Sequence, residues 1–98
     1  MMETLPALMD ELRSRCARKL SNGRVIAKRF VKVKFFDFTQ TTLELKIDPL
    51  DKKWDSETVY GSLLKEAWAR EGKPVRLLGV GVRLGNEKPV MAQQLSLL

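Results

Sequence analysis

The chain has 98 residues, a formal net charge of +6, 44% apolar residues and 31% charged residues. This length allows one modest hydrophobic core and leaves little room for a substrate cleft. Because the chain has no histidine and Cys16 is its single cysteine, zinc sites, thiol-based catalysis and an internal disulfide are excluded. The lack of a signal-peptide pattern and of long apolar runs favours a cytoplasmic protein with no membrane contact.

Basic charge is concentrated in one part of the chain. Nine basic residues and no acid lie between Arg13 and Phe36. A block of this kind indicates a polyanionic partner, most often a nucleic acid, although a solvated surface would give the same pattern.

Apolar spacing predicts two helices and three strands. The segment TLPALMDELRSRCARKLSNG has apolar residues at helical spacing, with Cys16 on the stripe that faces the core. RVIAKRFVKVKFFDF and TTLELKID alternate with a period of two and are joined by a short turn, which predicts an antiparallel hairpin. A second helix is expected to begin at Asp55 or Ser56 and to end near Gly72, with Trp54 and Trp68 in the core. The last predicted strand is PVRLLGVGVRL.

These elements predict an α+β fold, a two-layer sandwich in which two helices cover one face of a mainly antiparallel sheet. We expect residues 1–85 to form this domain and residues 86–98 to be a flexible tail. Sequence-independent contact with the phosphates of duplex DNA would suit the uncovered face, whereas an RNA-recognition sheet would carry paired rings. The residues predicted on that face are mostly basic or small: Lys32, Lys34, Phe36, Thr42, Glu44, Lys46, Gly79, Gly81 and Arg83.

No motif predicts catalysis by this chain alone. LLGVGVRLG is rich in glycine, but it has the spacing of neither a dinucleotide fingerprint nor a phosphate loop. The acids are too scattered for a two-metal site.

Three stretches in order, VKVKFFDFTQTT, PVRLLGVGVRL and the terminal QLSLL, resemble the C-terminal "little finger" domain of Y-family translesion DNA polymerases, closest to the bacterial polymerase IV branch. The resemblance covers residues 5–98 and implies a reversed ferredoxin-like fold whose open sheet grips primer-template duplex during lesion bypass. Lys32 and Lys34 join the DNA contacts because they are predicted on the same face. The contacts that the resemblance implies lie in two strands: Thr41, Thr42, Arg76, Leu77, Gly79, Gly81 and Arg83.

The resemblance also implies a role for the terminal peptide. In the family, a peptide of the form Gln-Leu-x-Leu-Phe docks on the ring-shaped sliding clamp, the beta subunit of DNA polymerase III. The matching residues here are Gln94, Leu95, Ser96, Leu97 and Leu98, with leucine in place of the final aromatic residue. The alternative is a leucine tail that folds back on the helices of its own domain.

The chain departs from the family pattern in several places. Where many relatives have serine-arginine, it has Thr42-Leu43-Glu44, so one expected arginine contact is absent. The family domain begins with a strand ahead of the first helix, and the family's catalytic palm requires magnesium; this sequence contains neither the strand nor the palm. We therefore expect a fragment of a DNA-directed DNA polymerase that is not an enzyme by itself and needs no cofactor. It would act with the rest of the polymerase chain in the bacterial cytoplasm, at the nucleoid.

The missing strand has a structural consequence, because residues 75–83 would then present a free sheet edge that favours self-association. Two other hypotheses remain open. One is a free-standing basic RNA-binding or ribosome-associated protein, and the other is a protein-interaction domain whose basic face is idle.

Overall fold

The structure is a computed structural model, and it describes residues 4–21, 23, 25–47, 54–85 and 88–95. The elements follow the order α1 (Leu5–Ser21), β1 (Ile26–Phe35), β2 (Gln40–Lys46), α2 (Glu57–Glu71), β3 (Val75–Leu84) and β4 (Pro89–Leu95). The strands form one antiparallel sheet in the order β2-β1-β3-β4. The predicted α+β sandwich is therefore confirmed, with four strands instead of three.

Local sequence signals explain where the elements begin and end. The Ser56 side chain accepts a hydrogen bond from the Val59 amide and so caps α2, while Gly72 ends that helix in the left-handed region at a φ of 63°. In the β1–β2 turn, the Asp37 carboxylate accepts hydrogen bonds from the Thr39 amide and hydroxyl at 3.1 and 2.6 Å.

The core lies between the helices and one face of the sheet. Cys16 is fully buried in it, as predicted, and burial raises the pKa of its thiol to about 11, which keeps the thiol protonated and unreactive. Trp54 packs against the core, but the prediction for Trp68 is wrong: its side chain is 41% exposed, and its indole N–H donates to the Lys73 carbonyl. Neither described helix has the length and apolar content needed to cross a bilayer.

The largest departure from the predicted fold is at the C-terminal end. The prediction of a flexible tail is wrong for Pro89–Leu95, which form β4 and pair along β3. Val90 and Ala92 alternate toward the core and are buried, and this burial explains why the segment joins the sheet. The prediction of a free edge at residues 75–83 is wrong for the same reason, because β4 covers that edge.

Candidate nucleic-acid interface

The face of the sheet opposite the helices, called the open face below, is built from four strand-to-strand rows. The rows follow from the register of the three strand pairs, since directly paired residues point to the same side. Read from β2 toward β4, they are Gln40–Lys34–Leu77, Thr42–Lys32–Gly79–Gln93, Glu44–Phe30–Gly81–Met91 and Lys46–Lys28–Arg83–Pro89.

Three lysines of this face have no side-chain partner among the described residues and so could bind an anion. Within the part of the chain that the structure describes, Lys32, Lys34 and Lys46 make no ion pair or hydrogen bond through their side chains. Lys32 and Lys34 lie two residues apart on β1, so their side chains leave the sheet about 6.6 Å from each other. Thr42 lies beside Lys32 and is exposed, which adds a hydroxyl donor to the same row.

Two further cations of the open face interact with the carboxylate of one acid, Glu44. The Arg83 Nε donates to a Glu44 carboxylate oxygen at 2.6 Å, and the Lys28 ammonium lies 3.8 Å from the other oxygen. Glu44 is the one acid among the described positions of this face. The sequence departure at Glu44 therefore has a structural outcome: its carboxylate points at Arg83 and partly neutralises it.

The space beside Gly79 and Gly81 of β3 is occupied by other residues of the same domain. A Cβ at Gly81 would touch the Phe30 ring, whose Cε1 would lie at 2.6 Å, and the Val90 carbonyl oxygen at 2.7 Å. A Cβ at Gly79 would lie 3.1 Å from the Met91 sulfur. Both glycines are buried, because the Phe30 and Met91 side chains lie against them.

The aromatic rings on this side of the molecule do not form a stacking platform. Phe30 is 5% exposed, and the Arg83 guanidinium lies over its ring at 5.4 Å from the centroid. Phe36 was predicted on the open face, but it lies in the turn after β1, together with Phe38, which is 82% exposed. Exposed rings are thus at the end of the sheet and not on its face.

The predicted DNA contacts fall into two groups in the structure. Lys32, Lys34, Thr42 and Arg83 come together on the open face. The structure does not bring the others to an accessible place on that face. Thr41 is 8% exposed and pairs with Val33 on the side covered by helices, and Leu77 is 7% exposed. Arg76 lies at an irregularity of the β1–β3 pairing, with its guanidinium 5.4 Å from the centroid of the Phe38 ring.

Sequence analysis missed Lys28 and Phe30 as open-face residues, although the alternation of β1 contains the signal for both. The basic block around them is also divided between the two layers. Arg13 and Arg15 pair with acids on or beside the helices, and Arg29 is buried with its Nε donating to the Trp54 carbonyl. Only part of the block therefore lies on the open face.

The predicted clamp peptide is described only in part. Gln94 and Leu95 are the last residues of β4, opposite Leu78 and Leu77. Ser96, Leu97 and Leu98 lie outside the described residues. The alternative, a leucine tail folded back on its own helices, also falls mainly on these undescribed residues.

Comparison with known proteins decides the family. A family model described as the impB/mucB/samB family C-terminal domain matches residues 1–97. The chain belongs to this family. It is 52% identical over 83 residues to a DNA polymerase IV of Pseudomonas syringae pv. tomato, which covers 85% of this chain and 22% of that relative. A DNA polymerase IV of Legionella pneumophila strain Corby is 43% identical over 99 residues, or 99% of this chain and 26% of the relative.

This membership confirms the resemblance to the C-terminal domain of Y-family polymerases. No solved structure matches the chain. The chain spans about a quarter of the length of these relatives, 22% and 26% in the two cases above. Within the described residues, no three cysteine, aspartate or glutamate side chains come together to hold a metal ion.

Proposed function

We propose that the open face binds the phosphates of primer-template duplex DNA without reading sequence, as the DNA-holding domain of a translesion polymerase. The observation that carries the proposal is a group of three lysines on one face of the sheet, Lys32, Lys34 and Lys46, whose side chains have no partner among the described residues. Lysines in this arrangement neutralise phosphates and release counterions, so affinity depends on salt and not on base sequence. The rest of the polymerase, with its magnesium-dependent palm, would supply catalysis.

Two observations favour duplex DNA over single-stranded RNA. Sequence-specific RNA sheets stack bases on exposed rings, and Phe30, the one ring on the described part of this face, is covered. The relatives in the family are named as DNA polymerases, which also argues against a ribosome-associated protein.

Fluorescence anisotropy with a labelled duplex tests this proposal. If each free lysine contacts one phosphate, the logarithm of the binding constant should fall with the logarithm of salt concentration with a slope of roughly −2.7. Replacing Lys32, Lys34 and Lys46 together with glutamine should remove most of that slope. The matched control replaces Lys19, Lys65 and Arg70, exposed cations of the two helices, and should leave it unchanged. Equal losses from both triple variants, or tighter binding to single-stranded RNA, would overturn the proposal.

The second part of the proposal concerns the sliding clamp. Gln94, Leu95, Ser96, Leu97 and Leu98 would dock in an apolar cleft of the clamp, where leucines fill pockets and the glutamine amide bonds to polar groups at the rim. This part rests on the sequence pattern. Gln94→Ala with Leu97→Ala should abolish clamp capture and leave duplex binding unchanged. Capture that survives this double substitution would contradict it.

Self-association through residues 75–83 is not part of the proposal, because β4 occupies that edge.

A further inference from the structure

One aromatic ring is almost fully exposed at the end of the sheet where β1 turns into β2. The Phe38 side chain is 82% exposed, and duplex binding by the open face gives it no role. We propose that the Phe38 ring stacks against an unpaired base of single-stranded DNA that extends from the bound duplex. This inference rests on the duplex-binding function proposed above.

The backbone at Phe38 adopts a conformation that phenylalanine rarely takes. Its φ of 69° lies in the left-handed region, and it is the one non-glycine residue with a positive φ among the described residues. Glycine or asparagine would fit this position with less strain, and a ring so exposed gains almost nothing from the core. Neither the turn nor the core therefore explains an aromatic residue here, and strain of this kind is typical of a binding site.

Hydrogen bonds on both sides of the turn hold Phe38 in place. Its amide donates to the Phe35 carbonyl at 3.1 Å, and the Phe35 amide donates to the Thr39 carbonyl at 2.9 Å. The Asp37 carboxylate accepts from the Thr39 amide and also from the Lys73 ammonium, which lies in the loop after α2. Because the turn is already ordered, a base that stacks on the ring costs little conformational entropy in the protein.

The surroundings of the ring are cationic and suit a nucleotide. The Arg76 guanidinium lies 5.4 Å from the centroid of the Phe38 ring and makes no ion pair with a described residue. Asp37, the acid of the turn, is paired with Lys73. A guanidinium on one face of the ring leaves the other face open to a flat partner, and its charge attracts the phosphate that carries the base. These features favour a nucleotide over an uncharged apolar peptide.

The ring lies just beyond the row of the open face that contains Lys34. Lys34 pairs with Gln40, and Phe38 precedes Gln40 by two residues, which is about 7 Å along an extended strand. A DNA strand advances about 3.4 Å per nucleotide, so a strand whose phosphate contacts Lys34 reaches Phe38 about two nucleotides further on. Bases within a duplex stack on one another and hide their faces, so a base that stacks on Phe38 must be unpaired.

Fluorescence anisotropy with two matched probes tests the inference. Both probes carry the same duplex and the same single-stranded extension, but the extension of one probe has abasic sites in place of its bases. The unmodified chain should bind the probe with bases about tenfold more tightly, since stacking of one base on an aromatic ring has this magnitude. The ratio should not depend on salt concentration, because the two probes have the same charge.

Three variants separate the ring of Phe38 from other effects. Phe38→Leu should reduce the ratio of the two affinities to about one, whereas Phe38→Tyr, which keeps a ring, should preserve it. Phe36→Leu is the matched control, because Phe36 is an exposed ring in the same turn without a cation over it, and it should also preserve the ratio. Since Phe38 is so exposed, its replacement should leave the melting temperature nearly unchanged.

The outcomes distinguish the inference from the function on which it rests. If the unmodified chain binds both probes equally, as a ring reserved for a protein partner would predict, the inference is wrong and the duplex-binding function stands. An equal loss of the ratio in Phe36→Leu and Phe38→Leu would also overturn the inference. If the chain binds neither probe, both proposals are overturned.

Discussion

Replacing Glu44 with glutamine should strengthen duplex binding, although the residue is not itself predicted to contact DNA. Its carboxylate accepts a hydrogen bond from Arg83 at 2.6 Å and lies 3.8 Å from the Lys28 ammonium. The neutral amide removes the negative charge that both cations face, which favours their interaction with phosphate. This substitution should therefore remove a carboxylate that competes with DNA phosphates for Arg83 and Lys28.

The size of the effect follows from the charges involved. One additional cation at about 4 Å from a phosphate gains about 1 kcal/mol in water, which is roughly fivefold in affinity. If Arg83 and Lys28 each gain a phosphate, the salt slope should become steeper by about 1.8. The affinity gain should shrink as salt rises, because the contacts are exposed.

Anisotropy with the same labelled duplex at several salt concentrations measures both quantities. Glu66→Gln is the matched control, since Glu66 is an exposed acid of α2 and the substitution changes the net charge equally. An equal gain from the two variants would mean that net charge alone matters. Such a result would refute the assignment of DNA binding to the open face.

Three other predictions concern stability. Gly81→Ala should destabilise the fold by about 3 kcal/mol in urea unfolding, because the new Cβ meets the Phe30 ring and the Val90 carbonyl; an unchanged midpoint would contradict this close contact. Tyr60→Phe should cost about 1 kcal/mol, since the buried Tyr60 hydroxyl donates to the Gly81 carbonyl at 2.8 Å. Burial also raises the pKa of Tyr60, so this contribution should be present below about pH 10 and be lost as pH rises further, and an equal cost at alkaline pH would count against it. The hydrogen bond from Lys73 lowers the pKa of Asp37 to about 2, so the ionised carboxylate stabilises the fold near neutral pH. The melting temperature of Asp37→Asn should therefore be lower than that of the unmodified chain at neutral pH. This difference should vanish as pH falls from about 4 toward 2.

Periodicity in the sequence was sufficient to predict two helices, three strands and the side of the sheet on which most residues lie. The alternation of Lys32 and Lys34 with buried valines fixes their side without knowledge of the strand order. The Ser56 cap and the Gly72 stop are local signals of the same kind, and both are confirmed.

Contacts between strands could not be predicted in this way, because they depend on strand order and register. Glu44 reaches Arg83 across β1, which separates their strands, and the sequence distance between them gives no hint of the contact. The contact between the Phe30 ring and Gly81 could not be predicted for the same reason, because the two residues lie on different strands. For β4, the alternation of Val90 and Ala92 is a period-two signal, but two small apolar residues beside a glutamine pair are too weak a pattern to distinguish a strand from a tail.

The central claim is that duplex DNA lies on the open face, and mapping amide chemical shifts during a titration with a short duplex tests it most directly. The account predicts that the largest shifts fall on residues 28–34 and 40–46, around Lys32, Lys34 and Lys46, with smaller changes near Arg83. It also predicts that the amide chemical shifts of α1 and α2 do not change. Shifts concentrated on the exposed sides of the two helices, with the strands unchanged, would contradict the account.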